Sequence, residues 1–199
     1  MISGSIEETG NSHNTFVNLE FRHILSKLNV SVSQPESMFR TTITVKEVKI
    51  TGLKDKGSFD ESNYNASANP KTSGWTPDVD DANYELIYNK AGGQVLDKGS
   101  YSGDVYTAGS PYFFIESLVM PQDIDDNTVE LTIKYNIASG SYNEDRTYKL
   151  DLYDIAALRK FYDGNNYFLN LSIEPDVIKY DAGVSTWANQ AVVDHTVSQ

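Results

Sequence analysis

Across residues 16–32 (FVNLEFRHILSKLNVSV) Val17, Leu19, Phe21, His23 and Leu25 stand two apart, with Asn18, Glu20 and Arg22 between them. That alternation is the signature of a β-strand with one buried face. The apolar parity then changes, because Leu28, Val30 and Val32 fall on even numbers. A strand cannot exchange its buried face without absorbing a residue, so the pattern predicts a bulge or a sheet-crossing kink at Ser26-Lys27. A helix would also align Leu25, Leu28 and Val32, but Val30 to Ser33 are poor helix formers and Asn29 interrupts the run. The same device recurs in 41–53, where Ile43 and Val45 are odd and Val48 and Ile50 even, with the switch at Lys46-Glu47. Two bent strands in succession are the habit of a β-sandwich whose strands serve two sheets.

Further on, residues 84–88 and 94–96 predict a hairpin around Ala91-Gly92-Gly93. Residues 112–120 are apolar on both parities, which suits a central strand covered on both sides and ended by Pro121. The cleanest alternation is Val129, Leu131, Ile133, Tyr135 and Ile137, answered after a turn at 138–145 by Tyr148, Leu150 and Leu152. Residues 154–161 read as one short helix, capped by Asp154 and stopped by Gly164. Tyr167, Leu169, Leu171 and Ile173 alternate once more before Pro175, and 177–180 and 184–187 supply the last apolar runs. Residues 54–81 break the rhythm with Gly, Pro, Ser, Asn and Asp. Their large anchors are Phe59, Tyr64 and Trp75, which predict either a pinned surface excursion or a loop that stacks on a sugar.

The run Leu19-x-Phe21-x-His23-x-Leu25-Ser26-Lys27-Leu28-x-Val30 resembles the opening strand of the C-terminal domain in the fimbrillin-like, Mfa-like fimbrial subunits of Bacteroidetes. Residues 42–53 (TITVKEVKITGL) and 112–122 (YFFIESLVMPQ) agree with it in order. The resemblance implies a transthyretin-like Greek key sandwich. It also implies a further β-domain and a lipoprotein signal ahead of the present residues. The fold expected is therefore all-β, an antiparallel β-sandwich with one short helix over residues 15–187. A flexible lead-in over 1–14 precedes it, and a tail over 188–199 follows.

Composition narrows the chemistry. With 199 residues the chain can bury a core without staples, and it has no cysteine for disulfides, thiolates or lipidation. A formal charge of −12 opposes nucleic acid and anionic membranes as partners. The first residues carry no basic and apolar signal-peptide pattern, and no apolar stretch is long enough to span a bilayer. Of three histidines, only His23 sits on an inward face, where a backbone-bonded core histidine is expected rather than a catalytic partner of Ser26. Asp123 to Asn127 opens like a calcium loop. Thr128 and Lys134 then replace the required Gly and Glu, and the group at Asp78, Asp80 and Asp81 fails in the same way. No catalytic residue, metal ligand or cofactor is nominated.

The function expected is non-enzymatic: a fimbrial or surface adhesion subunit that joins other fimbrial subunits by strand exchange, at the cell surface. The resemblance implies that the tail is its assembly strand, with Trp187, Ala191, Val193 and Val197 on one parity; an ordinary final strand paired within its own sandwich is the other reading of the same pattern. The alternative is a surface carbohydrate-binding module using Tyr64 and Trp75, with a host or bacterial glycan or protein as ligand.

Overall fold

The structure is a computed structural model that describes residues 2–3, 21–63, 74–78 and 84–187. Eight long strands carry it: β1 Ser26–Ser33, β2 Thr42–Leu53, β3 Tyr84–Val95, β4 Tyr112–Val119, β5 Glu130–Ser139, β6 Tyr142–Asp151, β7 Asn165–Ile173 and β8 Ile178–Thr186. They form two four-stranded sheets, β4-β1-β7-β8 and β6-β5-β2-β3. The inward residues of both belong to one hydrophobic cluster, in which Leu28, Val30, Ile43, Val45, Val48, Ile50, Leu131, Ile133 and Leu169 are wholly buried. Tyr135, Leu150 and Leu171 join them, as their alternation predicts. The first sheet is mixed, however, because β1 and β7 run parallel while the other pairs are antiparallel.

Both parity switches mark real departures from a regular strand, by different means. In β2, Lys134 pairs with Glu47 and Tyr135 with Val45, so Lys46 is an extra residue and the strand carries a bulge there. The first switch is not a bulge at Ser26-Lys27. The chain leaves the strand conformation at 23–25, between Phe21–Arg22, which pairs with Ile2–Ser3, and β1 in the main sheet. Breaking the ladder changes the buried face as effectively as inserting a residue, and lets the two halves serve different sheets.

Several expectations are corrected. Residues 84–95 make no hairpin; they are one strand, interrupted where Asn89 pairs with Glu47 and Gln94 with Val45. Gly92 and Gly93, at φ of 81° and 75°, take the chain out and back on its original course instead of reversing it. The reversal expected over 138–145 is tighter than its composition suggests, since β5 and β6 pair to Ser139 and Tyr142 around Gly140-Ser141. Strand β4 lies at an edge, not the centre, and Phe113 and Leu118 are about half exposed at 52% and 51%. Its double-parity apolarity reflects a bulge at Phe114 rather than coverage on both faces.

The predicted helix is absent among the described residues and gives way to two 3-10 turns, Leu152–Asp154 and Ala156–Leu158. Leu152, Ile155, Leu158 and Phe161 are all buried at intervals of three, the period of a 3-10 turn and not of an α-helix. The cap is Asp151, not Asp154: its carboxylate accepts from the Tyr153 amide at 2.9 Å.

The side of the sandwich between β3 and β4 is closed by aromatic rings. Tyr88 meets Phe114 edge-on at 4.8 Å and Tyr112 at 6.0 Å. Burial first, then the neighbouring Tyr112, pushes the Tyr88 phenol up to about 12. Its unfolded value is 10.0. The unfolded chain therefore loses this proton first as pH rises. The Tyr88 contribution to stability is complete below pH 10 and falls away towards pH 12. Melting temperatures measured across that interval should drop less steeply in Tyr88→Phe than in the parent. Equal slopes would show that Tyr88 titrates as it does in the unfolded chain.

Candidate functional site

The opposite side of the sandwich is not closed in that way. Strand β8 pairs through Ile173–Ile178, Leu171–Tyr180, Leu169–Ala182 and Tyr167–Val184. In an antiparallel pair, directly opposed residues share a face, so Tyr180, Ala182 and Val184 lie on the core side of the sheet. Their partners on β7 are at most 1% exposed, yet Tyr180 and Val184 are 45% and 44% exposed. The second sheet does not reach far enough to cover its neighbour's last strand.

What faces β8 is β6, the edge of the second sheet. Its core-side row, read from its partners on β5, is Leu150, Tyr148, Arg146, Glu144 and Tyr142. Burial fades along that row from Leu150 to an exposed Tyr142, so the interlayer space opens towards the start of β6. Arg146 spans the opening. Its Nη1 donates to the Pro175 carbonyl in the β7–β8 turn at 2.6 Å, its Nε to Glu144 Oε2 at 2.9 Å, and its Nη2 to the Tyr142 hydroxyl at 2.9 Å. Glu144, and then Tyr142, hold the guanidinium protonated well above its usual range. Hydrogen bonds from Tyr142 and Arg146 in turn keep the Glu144 carboxyl below its ordinary value. Burial raises the Tyr148 phenol, with Tyr180 as the next contributor. The 3-10 turn Ala156–Leu158 also packs against β8.

The result is an apolar, tyrosine-rich groove with a charged end, flanked by two sheet edges. Among the described residues both β6 and β8 are last in their sheets, so each presents a row of backbone donors and acceptors with no described strand beside it. The geometry can accept an extended segment, with alternate side chains over Tyr180 and Val184.

The residues singled out from sequence are distributed differently. Trp187 ends β8: its amide donates to the Gly164 carbonyl at 2.8 Å. Its ring stacks on His23 at 3.8 Å, 4° from parallel. His23 is thus half-buried under a tryptophan, rather than a core histidine. Ser26 is not aimed at it, since its hydroxyl donates to the Tyr162 carbonyl at 2.8 Å. Ala191, Val193, Val197 and Tyr64 lie outside the described residues. Trp75 is a pin: its indole donates to the Ile24 carbonyl at 2.7 Å and its ring rests on Phe59 at 5.3 Å. Within the long excursion, Gly57–Phe59 pairs with Trp75–Pro77. Asp123, the first residue of the calcium-like sequence, is paired with Lys160 at 2.8 Å. Reading from sequence missed the groove residues Tyr142, Arg146, Tyr180 and Val184. The even-numbered apolar run Ile178, Tyr180, Ala182 and Val184 was the available signal, but it tells only the face, not whether anything covers it.

Comparison with known proteins adds to this geometry. The fimbrillin-like family profile matches residues 1–187. No curated protein matches the chain by sequence. Among solved structures, a fimbrial protein from Bacteroides vulgatus is similar at 16% identity with a TM-score of 0.51, covering 85% of this chain and 56% of that one. A protein from Parabacteroides distasonis assigned to cell adhesion is similar at 11% identity with a TM-score of 0.52, covering 83% and 52%. The chain thus spans little more than half the length of these structures, and at such identities the likeness concerns the fold.

Proposed function

The chain belongs to the fimbrillin-like family, and from that premise we propose that it is a fimbrial subunit domain that accepts a neighbour's extended segment in the groove between β6 and β8. The family is one of non-enzymatic fimbrial and cell adhesion proteins, acting at the cell surface or in the fimbrium. Its association with other fimbrial subunits supplies the class of partner. The observation that carries the reading is the exposure of Tyr180 and Val184, at 45% and 44%, on the core side of their sheet. Apolar side chains turned inward but left uncovered are stabilised by a strand that completes the layer. Burying them adds roughly 25 cal/mol per Å² of apolar area, and the backbone ladder adds direction.

A finer fold assignment, the transthyretin-like Greek key, belongs to the same proposal. It is supported by the strand orders β4-β1-β7-β8 and β6-β5-β2-β3, with the first strand beside the fourth and parallel to the seventh. Residues 188–199 are the proposed donor, through Ala191, Val193 and Val197. Trp187 serves as the anchor where the tail leaves β8.

One experiment addresses both sides of the contact. Val184→Arg places a charge in the groove at a site already 44% exposed, so the isolated domain should melt close to the parent. Its incorporation into fibres, scored by electron microscopy and by resistance of the oligomer ladder to detergent, should be lost. Removal of residues 190–199 should give the same phenotype from the donor side. Fibres formed normally by Val184→Arg would rule out this groove, and a domain that unfolds on loss of the tail would mean that the tail completes its own sandwich.

A further inference from the structure

At another edge of the molecule, a short hairpin leans over the turn that follows β1. Its arms, Ser100–Ser102 and Val105–Thr107, pair with each other alone among the described strands. Such a small hairpin is marginal by itself, but its base is built. The Asp97 carboxylate accepts from the Gly99 amide at 2.9 Å and from the Ser110 amide at 3.0 Å. Those two hydrogen bonds, from the Gly99 and then the Ser110 amide, keep the carboxyl below its ordinary value. Gly99 and Gly109 let the two backbones cross there, because a Cβ would come within 2.2 Å of the Thr107 carbonyl oxygen or 2.1 Å of that of Asp97. Three aromatic rings gather beneath the hairpin. Phe39 meets Tyr101 edge-on at 4.8 Å, and Tyr106 lies 5.4 Å from Tyr101. The Tyr101 hydroxyl donates to Glu36 Oε1 at 2.6 Å and fixes the ring's orientation. Between turn and hairpin lies a cavity of about 540 Å³, open to solvent and lined by Glu36, Phe39, Arg40, Tyr101 and Asp104 among others.

We infer that this cleft is a saccharide-binding site that seats a neutral pyranose against Tyr101. Tyr101 is 45% exposed although its hydroxyl is held by Glu36 and its ring by Phe39 and Tyr106, so a fixed aromatic side chain is presented to the cleft. A pyranose offers the matching surface, a C–H face that stacks on an aromatic ring and a rim of hydroxyls. Around the ring stand two carboxylates, Glu36 and Asp104, that can accept from those hydroxyls, and the Arg40 guanidinium, which can donate to them. The local charges balance, with Glu36 and Asp104 against Arg40 and the nearby Lys98, and a chain of charge −12 disfavours an acidic sugar over a neutral one. An apolar peptide anchor would leave these charged groups desolvated and unpaired. The prepared walls reduce the ordering cost of binding. The cleft does not depend on the groove at β6 and β8, and is tested on the isolated domain.

The probes are methyl pyranosides of the gluco, galacto and manno series, observed by saturation-transfer NMR at millimolar concentration. At least one should receive saturation at its ring C–H protons from the parent. Tyr101→Ala should abolish the transfer while the cooperative melting of the two main sheets is kept, because the hairpin pairs with neither of them. Asp104→Asn, in the turn of the hairpin, should weaken the binding by about tenfold without touching the aromatic cluster. Absence of transfer to all three probes would overturn the inference. So would transfer that survives both substitutions.

Discussion

Replacing Gly52 by alanine should destabilise the domain by about 2–5 kcal/mol, measured by urea unfolding with an unchanged dependence on denaturant. Gly52 sits at φ +88° in β2, where the ladder to β3 slips between Thr51 and Leu53. A Cβ there would come 1.9 Å from the Thr128 carbonyl oxygen. Two costs therefore add. Left-handed backbone costs an L-residue roughly 1–2 kcal/mol. Pushing the Thr128 carbonyl away then strains the entry to β5, with a penalty of the order of overpacking, about 1–3 kcal/mol. Gly92→Ala isolates the first of these, because Gly92 has φ +81° but nothing within 4 Å of its missing Cβ. If Gly52→Ala cost no more than Gly92→Ala, the close approach of Thr128 would not matter to stability.

Leu131→Ala should cost about 2–5 kcal/mol, which in a chain of this size lowers the melting temperature by roughly 4–20 °C. Leu131 is fully buried on the core face of β5, paired with Ile50 on one side and Leu150 on the other. Both neighbours are held in ladders and have little freedom to fill the space. The cavity term is therefore near the upper end rather than relaxed away. A variant that melted within about a degree of the parent would take Leu131 out of the core.

The strands that hold these residues were legible because their chemistry is local. Val129 to Ile137 alternates with the two-residue period of a half-buried strand, and the inward set proved buried down to Tyr135 and Ile137. The bulge at Lys46 was legible for the same reason, since a change of parity in one strand has few geometric solutions. Where competing local signals existed, the weaker was overlooked. Leu152, Ile155, Leu158 and Phe161 repeat at three, but Ala156 and Ala157 between them suggested an α-helix through propensity alone. Gly92-Gly93 signals positive φ, and positive φ serves a hairpin or a bulge equally well. The choice was made by β2, which pairs with residues on both sides of the glycines.

The candidate groove stands at the limit of such reading. Apolar spacing placed Tyr180, Ala182 and Val184 on one face of a strand. It contained no information on whether that face would be covered. Coverage depends on the width of the opposing sheet and on which strand ends it, and these follow from the order β4-β1-β7-β8 against β6-β5-β2-β3. The same limit applied to β4, whose apolar run looked central and is an edge. For residues 54–81 the sequence left a pinned excursion and a sugar-stacking loop open, and the hydrogen bond from Trp75 to the Ile24 carbonyl favours the pin. The cleft at Tyr101 joins segments some sixty-five residues apart, through the hydrogen bond to Glu36 and the edge-on contact with Phe39. Periodicity is written residue by residue, because each side chain's face follows from its neighbours' backbone geometry. Strand order, edges and the meeting of distant loops arise only when the chain closes on itself.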